Sequence, residues 1–141
     1  MKKLFYIPLL FIFLFNCKKD NVDAQPDEII KPIVGQWRLA EIEQEVKGKK
    51  NWQPVDSITS QYLVFRSDGV MFDKNGIANC CGPKELSIND AFFRIRPKTE
   101  VNYNHCSAAN CEYCAVMDID CSGDQMIITN CSGPRFKYIK S

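Results

Sequence analysis

A single histidine, His105, stands in the whole chain, so every motif that needs a histidine pair is excluded, the H-E-x-x-H zinc helix among them. No G-x-S-x-G elbow and no phosphate-cradling glycine loop occurs. Excess charge of one sign is also missing: 18 Lys and Arg face 17 Asp and Glu, for a formal charge of +1. Such a chain exerts no long-range pull on nucleic acid, so nucleic acid is excluded as a partner. The long apolar run is the run of twelve from Leu4 to Phe15. A membrane-spanning helix needs roughly 20. Internal repeats and low-complexity tracts are absent, and no ten-residue helical pattern stands out beyond that run.

The run suits a different task. It follows Met1-Lys2-Lys3 and ends Leu14-Phe15-Asn16-Cys17, a basic start and short apolar core that predict a secretory signal over 1–16. Leu14-Phe15-Asn16-Cys17 resembles a loose bacterial lipobox of the kind found in Bacteroidota lipoproteins. The resemblance implies a lipid on Cys17, and multiple acyl chains on one residue give stable anchoring. It places the protein in the cell envelope, held to the outer membrane, and the charged Lys18-Lys19-Asp20 resembles a surface-display signal. Loss of Lys2 and Lys3 would take the formal charge from +1 to −1. Residues 17–32, polar and broken by Pro26 and Pro32, are expected to be a tether, and 33–141 a single domain.

Eight cysteines are present. With Cys17 lipidated, Cys80, Cys81, Cys106, Cys111, Cys114, Cys121 and Cys131 remain. Cys106, Cys111 and Cys114 are spaced C-x4-C-x2-C, the opening of a plant-type iron–sulfur signature, and His105 with these three has the ligand types of a zinc site. The export signal decides among the readings. Exported chains meet conditions in which disulfides persist, clusters are assembled in the cytoplasm, and ligands bunched in one short loop lack the two-plus-two layout of zinc fingers. Three disulfides and one leftover thiol are therefore expected, with no metal and no cofactor. Neighbouring Cys80 and Cys81 cannot bridge each other without strain, so they should pair with different partners, and the group Cys106, Cys111, Cys114 supplies candidates.

From Gly35 the pattern is β. Trp37, Leu39, Ile42 and Val46 alternate with charges, and the spacing shift between Leu39 and Ile42 predicts a bulge. Gly48 with Lys49-Lys50-Asn51 marks a hairpin loop. Further strands are expected at 52–55, 61–66, 70–72, 86–88, 92–95, 114–119, 125–129 and 136–139. Ser67-Asp68-Gly69, Asn89-Asp90 and Ser122-Gly123-Asp124 serve as turns. The expected fold class is all-β: an antiparallel up-and-down barrel of about eight strands, stapled by disulfides.

Gly35-Gln36-Trp37, Phe65-Arg66-Ser67-Asp68-Gly69 and the basic last strand Arg135 to Lys140 make the domain similar to the lipocalin-like domains of Bacteroidota lipoproteins. The resemblance implies that Trp37 packs across the barrel floor under a cation from the last strand, Arg135 or Lys137. The cysteine density departs from the family pattern and predicts bridges that tie a loop across one mouth.

No nucleophile–base set is complete. His105 and Cys106 are sequence neighbours and poorly placed to face each other. Asp118 and Asp120 share one strand face, as do Glu41, Glu43 and Glu45, and both sets are expected to face water. The protein is therefore expected to carry out no catalysis and to bind a small apolar or amphipathic ligand inside the barrel. Trp52, Leu63, Phe65, Phe72, Phe93 and Met117 are the expected lining. The alternative is a structural or interaction module of the envelope, a scaffold or inhibitor with a filled core that meets another protein.

Overall fold

The computed structural model describes residues 25–111, 114–131 and 133–141. Cys17 and its flanking signal lie outside the described residues.

The described chain starts with a short helix, α1 (Pro26–Ile30), and a 3-10 turn over Lys31–Ile33. Proline in the first turn loses no needed N–H, and Asp27 and Glu28 sit where the helix dipole favours acids. Ile30 and Ile33 are fully buried. This corrects the expected tether: residues 26–32 belong to the fold, because two isoleucines three apart give this segment an apolar face that the sheet buries.

Nine strands follow: β1 (Gly35–Val46), β2 (Lys49–Pro54), β3 (Tyr62–Phe65), β4 (Met71–Phe72), β5 (Glu85–Ile88), β6 (Ala91–Arg94), β7 (Val116–Ser122), β8 (Gln125–Asn130) and β9 (Arg135–Lys140). They form one curled sheet in the order β4-β3-β1-β9-β8-β7-β5-β6, with β2 paired to the far end of β1. First and last strands lie side by side, so the sheet wraps into a half-barrel. The bulge falls between Leu39 and Glu41, as the spacing predicts. Asn89 and Asp90 both adopt positive φ, 47° and 66°, and turn β5 into β6.

The sheet is all antiparallel except in one place. β5 runs parallel to β7, with Leu86 beside Met117 and Ile88 beside Ile119. The order is therefore not a simple up-and-down succession. Parallel neighbours need a crossover, and the cysteine-rich segment between β6 and β7 supplies it. β4 and β6 end the strand order; β4 is bridged on its outer side by Ala78, with Asn79 N donating to Met71 O at 2.9 Å, and β6 has no strand outside it among the described residues.

Asp68 links the chain across the gap between those edges. Its carboxylate accepts hydrogen bonds from Arg66 Nε and Nη2 (2.8 and 2.6 Å), from Val70 N (3.2 Å) and from Lys98 N (2.8 Å). The turn after β3 is thus docked on the chain just past β6. Gly69 sits there with φ +84°, and a Cβ on it would lie 2.9 Å from the Phe93 ring. Only glycine meets both demands.

The core occupies the concave face at the α1 end: Ile30, Ile33, Trp37, Phe65, Leu86, Ile119 and Met126 are all essentially without solvent contact. Trp37 Nε1 donates to Ile33 O at 2.7 Å, pinning the 3-10 turn over the barrel floor.

Candidate functional site

Among the described residues the disulfides are Cys80–Cys106, Cys81–Cys111 and Cys114–Cys131, and Cys121 is free. The adjacent pair takes two different partners, both from the cysteine-rich loop. Cys114 instead bridges Cys131, just past β8. Together the first two bridges fasten the segment 102–111 to the 79–82 turn.

Between that fastened loop and the concave sheet lies a cavity of about 510 Å³. Leu63 of β3, Met117 of β7, Ile128 of β8, and Phe136 and Tyr138 of β9 line its apolar side. The loop wall carries Asp73, Ile77, Asn79, Cys80 and His105. Asp73 accepts hydrogen bonds from the N–H groups of Asn75 and Ile77, each at 2.8 Å, and these hold its pKa below the usual carboxylate value. The rim loop is thus ordered from within. Burial pushes the Tyr138 phenol up to about 12, so it stays a neutral hydroxyl at ordinary pH. That hydroxyl has no hydrogen-bond partner among the described residues.

The expected lining is partly brought together. Leu63 and Met117 face the cavity, and Phe72 borders it from β4, its ring 5.3 Å from the Arg66 guanidinium. Phe65 and Phe93 are instead packed in the core. Trp52 is on the other side of the sheet: it pairs with Glu43, whose side chain points outward after the bulge. Ile128, Phe136 and Tyr138 lie outside the expected lining, although Phe136 and Tyr138 alternate along β9 with the period of one strand face.

The cation over Trp37 is Lys140, whose Nζ lies 5.3 Å from the ring centre. Arg135 and Lys137 cover Trp52 instead, at 5.4 and 4.4 Å. This corrects the expected partners, and strand register is the reason: Trp37 pairs with Lys140, whereas Lys137 pairs with Glu41 on the opposite face. Glu43 is likewise no wet residue. It is 6 % exposed and accepts from Arg135 Nε and Nη2, and this bonding lowers its pKa despite the opposing cost of burial. Glu41 pairs with Lys137 at 2.5 Å. Asp118 and Asp120 face water, opposite buried Met117 and Ile119, as their alternation predicts.

A second cavity, about 340 Å³, lies beyond the first and is lined by Val70, Pro83, Ile95, Tyr103 and Cys106. Cys80 borders both. His105 Nε2 donates to Ala78 O at 2.9 Å and lies 3.3 Å from Cys106 Sγ. The ligating atoms of Cys80, His105 and Cys106 are within 4.8 Å of one another. In the bridged state the two sulfurs are bonded to each other, so they present no thiolate for a soft metal.

No protein-family model, curated protein or solved structure matches the chain.

Proposed function

We propose that the protein is a lipid-anchored lipoprotein of the cell envelope that acts by binding a small apolar or amphipathic molecule in the half-barrel, without catalysing a reaction. The observation that carries this reading is the cavity on the concave face, with its apolar floor and polar rim. Its volume of about 510 Å³ lies within the range of small-molecule sites, roughly 300–1,000 Å³. Affinity would come from apolar burial against Leu63, Met117, Ile128 and Phe136, at about 25 cal/mol per Å² before ordering costs. The Tyr138 hydroxyl and the amides of Asn79 and Asn130 would meet a polar end.

The test is titration of the intact protein with an anthroyloxy-labelled fatty acid. Saturable binding that Met117→Trp abolishes, in a variant whose circular dichroism is unchanged, supports the reading. Absence of saturable binding overturns it. For the anchor, Cys17→Ser should release the protein from membranes or block its processing.

A second reading, an envelope interaction module, is favoured by one observation. Among the described residues, edge strand β6 is unpaired on its outer side, and it presents Phe92, 68 % exposed. Its signature would be loss of partner capture on Phe92→Ser with fatty-acid binding unchanged.

A further inference from the structure

Three features of the Cys80–Cys106 bridge bear on its chemistry. It stands between the two cavities, with Cys80 open to both and Cys106 lining only the smaller one. A nucleophile in the larger cavity therefore meets Cys80 first. The chain's sole histidine lies against the far sulfur: His105 Nε2 is 3.3 Å from Cys106 Sγ. Because the same nitrogen hydrogen-bonds the Ala78 carbonyl, which can only accept, Nε2 carries a proton, and that single N–H, given to Ala78 O, has Cys106 Sγ as the neighbouring second acceptor. Finally, the adjacent Cys81–Cys111 bridge holds the same two chain segments together independently.

We propose that Cys80–Cys106 is a thiol-exchange site for low-molecular-weight thiols, with Cys80 as the sulfur that carries the adduct. A thiol loses its proton to water and its thiolate attacks Cys80 Sγ. The new S–S bond joins the small thiol to Cys80 as the Cys80–Cys106 bond breaks, and the electron pair of that bond leaves on Cys106 Sγ. The charge that develops on Cys106 Sγ draws the His105 N–H from the neutral Ala78 carbonyl, and the hydrogen bond so formed makes Cys106 the better leaving group. No net oxidation has occurred at this stage: one disulfide has replaced another. A second equivalent of thiolate then attacks the sulfur of the small thiol, releases the symmetrical small-molecule disulfide and leaves Cys80 and Cys106 both reduced. The reductant for this two-electron step is the small thiol itself. Alternatively, Cys106 attacks Cys80 and expels the small thiolate, restoring the bridge. Cys81–Cys111 keeps Cys106 close enough for that return, since Cys81 directly follows Cys80 and Cys111 is in the same loop as Cys106.

Exposure alone ranks the bridges differently. Cys81 and Cys111 are both exposed, whereas Cys80 and Cys106 are half-buried. The order of cleavage therefore separates the two explanations. The intact protein is incubated with limiting reduced glutathione, quenched by alkylation at successive times and mapped by peptide mass. The site predicts glutathione on Cys80 and alkylated Cys106 before any label at Cys81, Cys111, Cys114 or Cys131. Cleavage of Cys81–Cys111 first, equal rates at all three bridges, or glutathione on Cys106 overturns it, and none of these outcomes needs a variant that folds. In His105→Ala the cleavage of Cys80–Cys106 should slow roughly tenfold, the effect of one hydrogen bond to a charged leaving group. In His105→Gln, which keeps an N–H donor, most of the rate should return. An unchanged rate in His105→Ala overturns the role of His105.

Discussion

Lys140 Nζ lies 5.3 Å from the centre of the Trp37 ring, and the two residues are directly opposed on the last and first strands of the sheet. The contact joins strands about a hundred positions apart and lies beside the 3-10 turn that Trp37 Nε1 holds. Trp37→Ala should lower unfolding stability by about 3–5 kcal/mol, the usual cost of emptying a large core site. Lys140→Met, which keeps the stem and removes the charge, should cost about 0.5–1 kcal/mol. Urea unfolding followed by circular dichroism measures both.

The two tryptophans should differ in fluorescence. Trp37 has no solvent contact, while Trp52 lies on the outer face beneath Arg135 and Lys137. Acrylamide should quench the emission of Trp37→Phe readily and that of Trp52→Phe poorly. Similar quenching in the two variants would contradict the outward placement of Trp52.

Asp68 should make the fold acid-sensitive within a defined window. Burial alone would raise its pKa, but the bonds from Arg66, Lys98 N and Val70 N outweigh it and lower the carboxyl to about 2 from its ordinary 3.8. A pKa depressed in the folded state contributes stability above the unfolded value and loses it as pH falls through the folded one. The contribution, about 2 kcal/mol, should therefore be complete at neutral pH and fade between about pH 4 and pH 2. Asp68→Asn should be destabilised at pH 7 and approach the wild type at pH 2, by urea midpoints across that range.

Gly69→Ala and Gly76→Ala separate backbone strain from crowding. Both glycines have positive φ, but a Cβ at Gly76 meets open space, whereas at Gly69 it strikes Phe93 and Ile95. Gly76→Ala should cost about 1 kcal/mol. At Gly69 the added overpacking brings the loss to about 3 kcal/mol. Thermal unfolding midpoints should fall in that order.

Alkylation should count the thiols. In unreduced, denatured protein, Cys121 alone among the described cysteines should be labelled. In the native protein its labelling should be slow, because burial raises its pKa and so reduces the thiolate fraction.

Much of this architecture is local and therefore legible in the residues. Asn89-Asp90 announces a turn because both positions tolerate positive φ, and the Leu39-to-Ile42 spacing announces a bulge because strand alternation has a period of two. Adjacent Cys80 and Cys81 must take different partners for the same kind of short-range geometric reason. The lining was less legible. Trp52 and Phe65 look alike in a pattern of alternating apolar residues, yet one faces outward and the other is core, since a one-residue offset exchanges the two faces of a strand.

The sequence by itself determined the β character, the hairpin turns and the need of Cys80 and Cys81 for separate partners, since these follow from alternation, turn chemistry and the short reach between neighbouring residues. Only the tertiary structure decided that β5 runs beside β7 in parallel, that Lys140 and not Arg135 or Lys137 covers Trp37, that Glu43 is buried against Arg135, and that Cys80 separates two cavities. Each of these depends on the register between segments distant in sequence. That register is selected by which apolar faces bury together when the sheet curls, a global sum to which no short stretch of residues holds the answer.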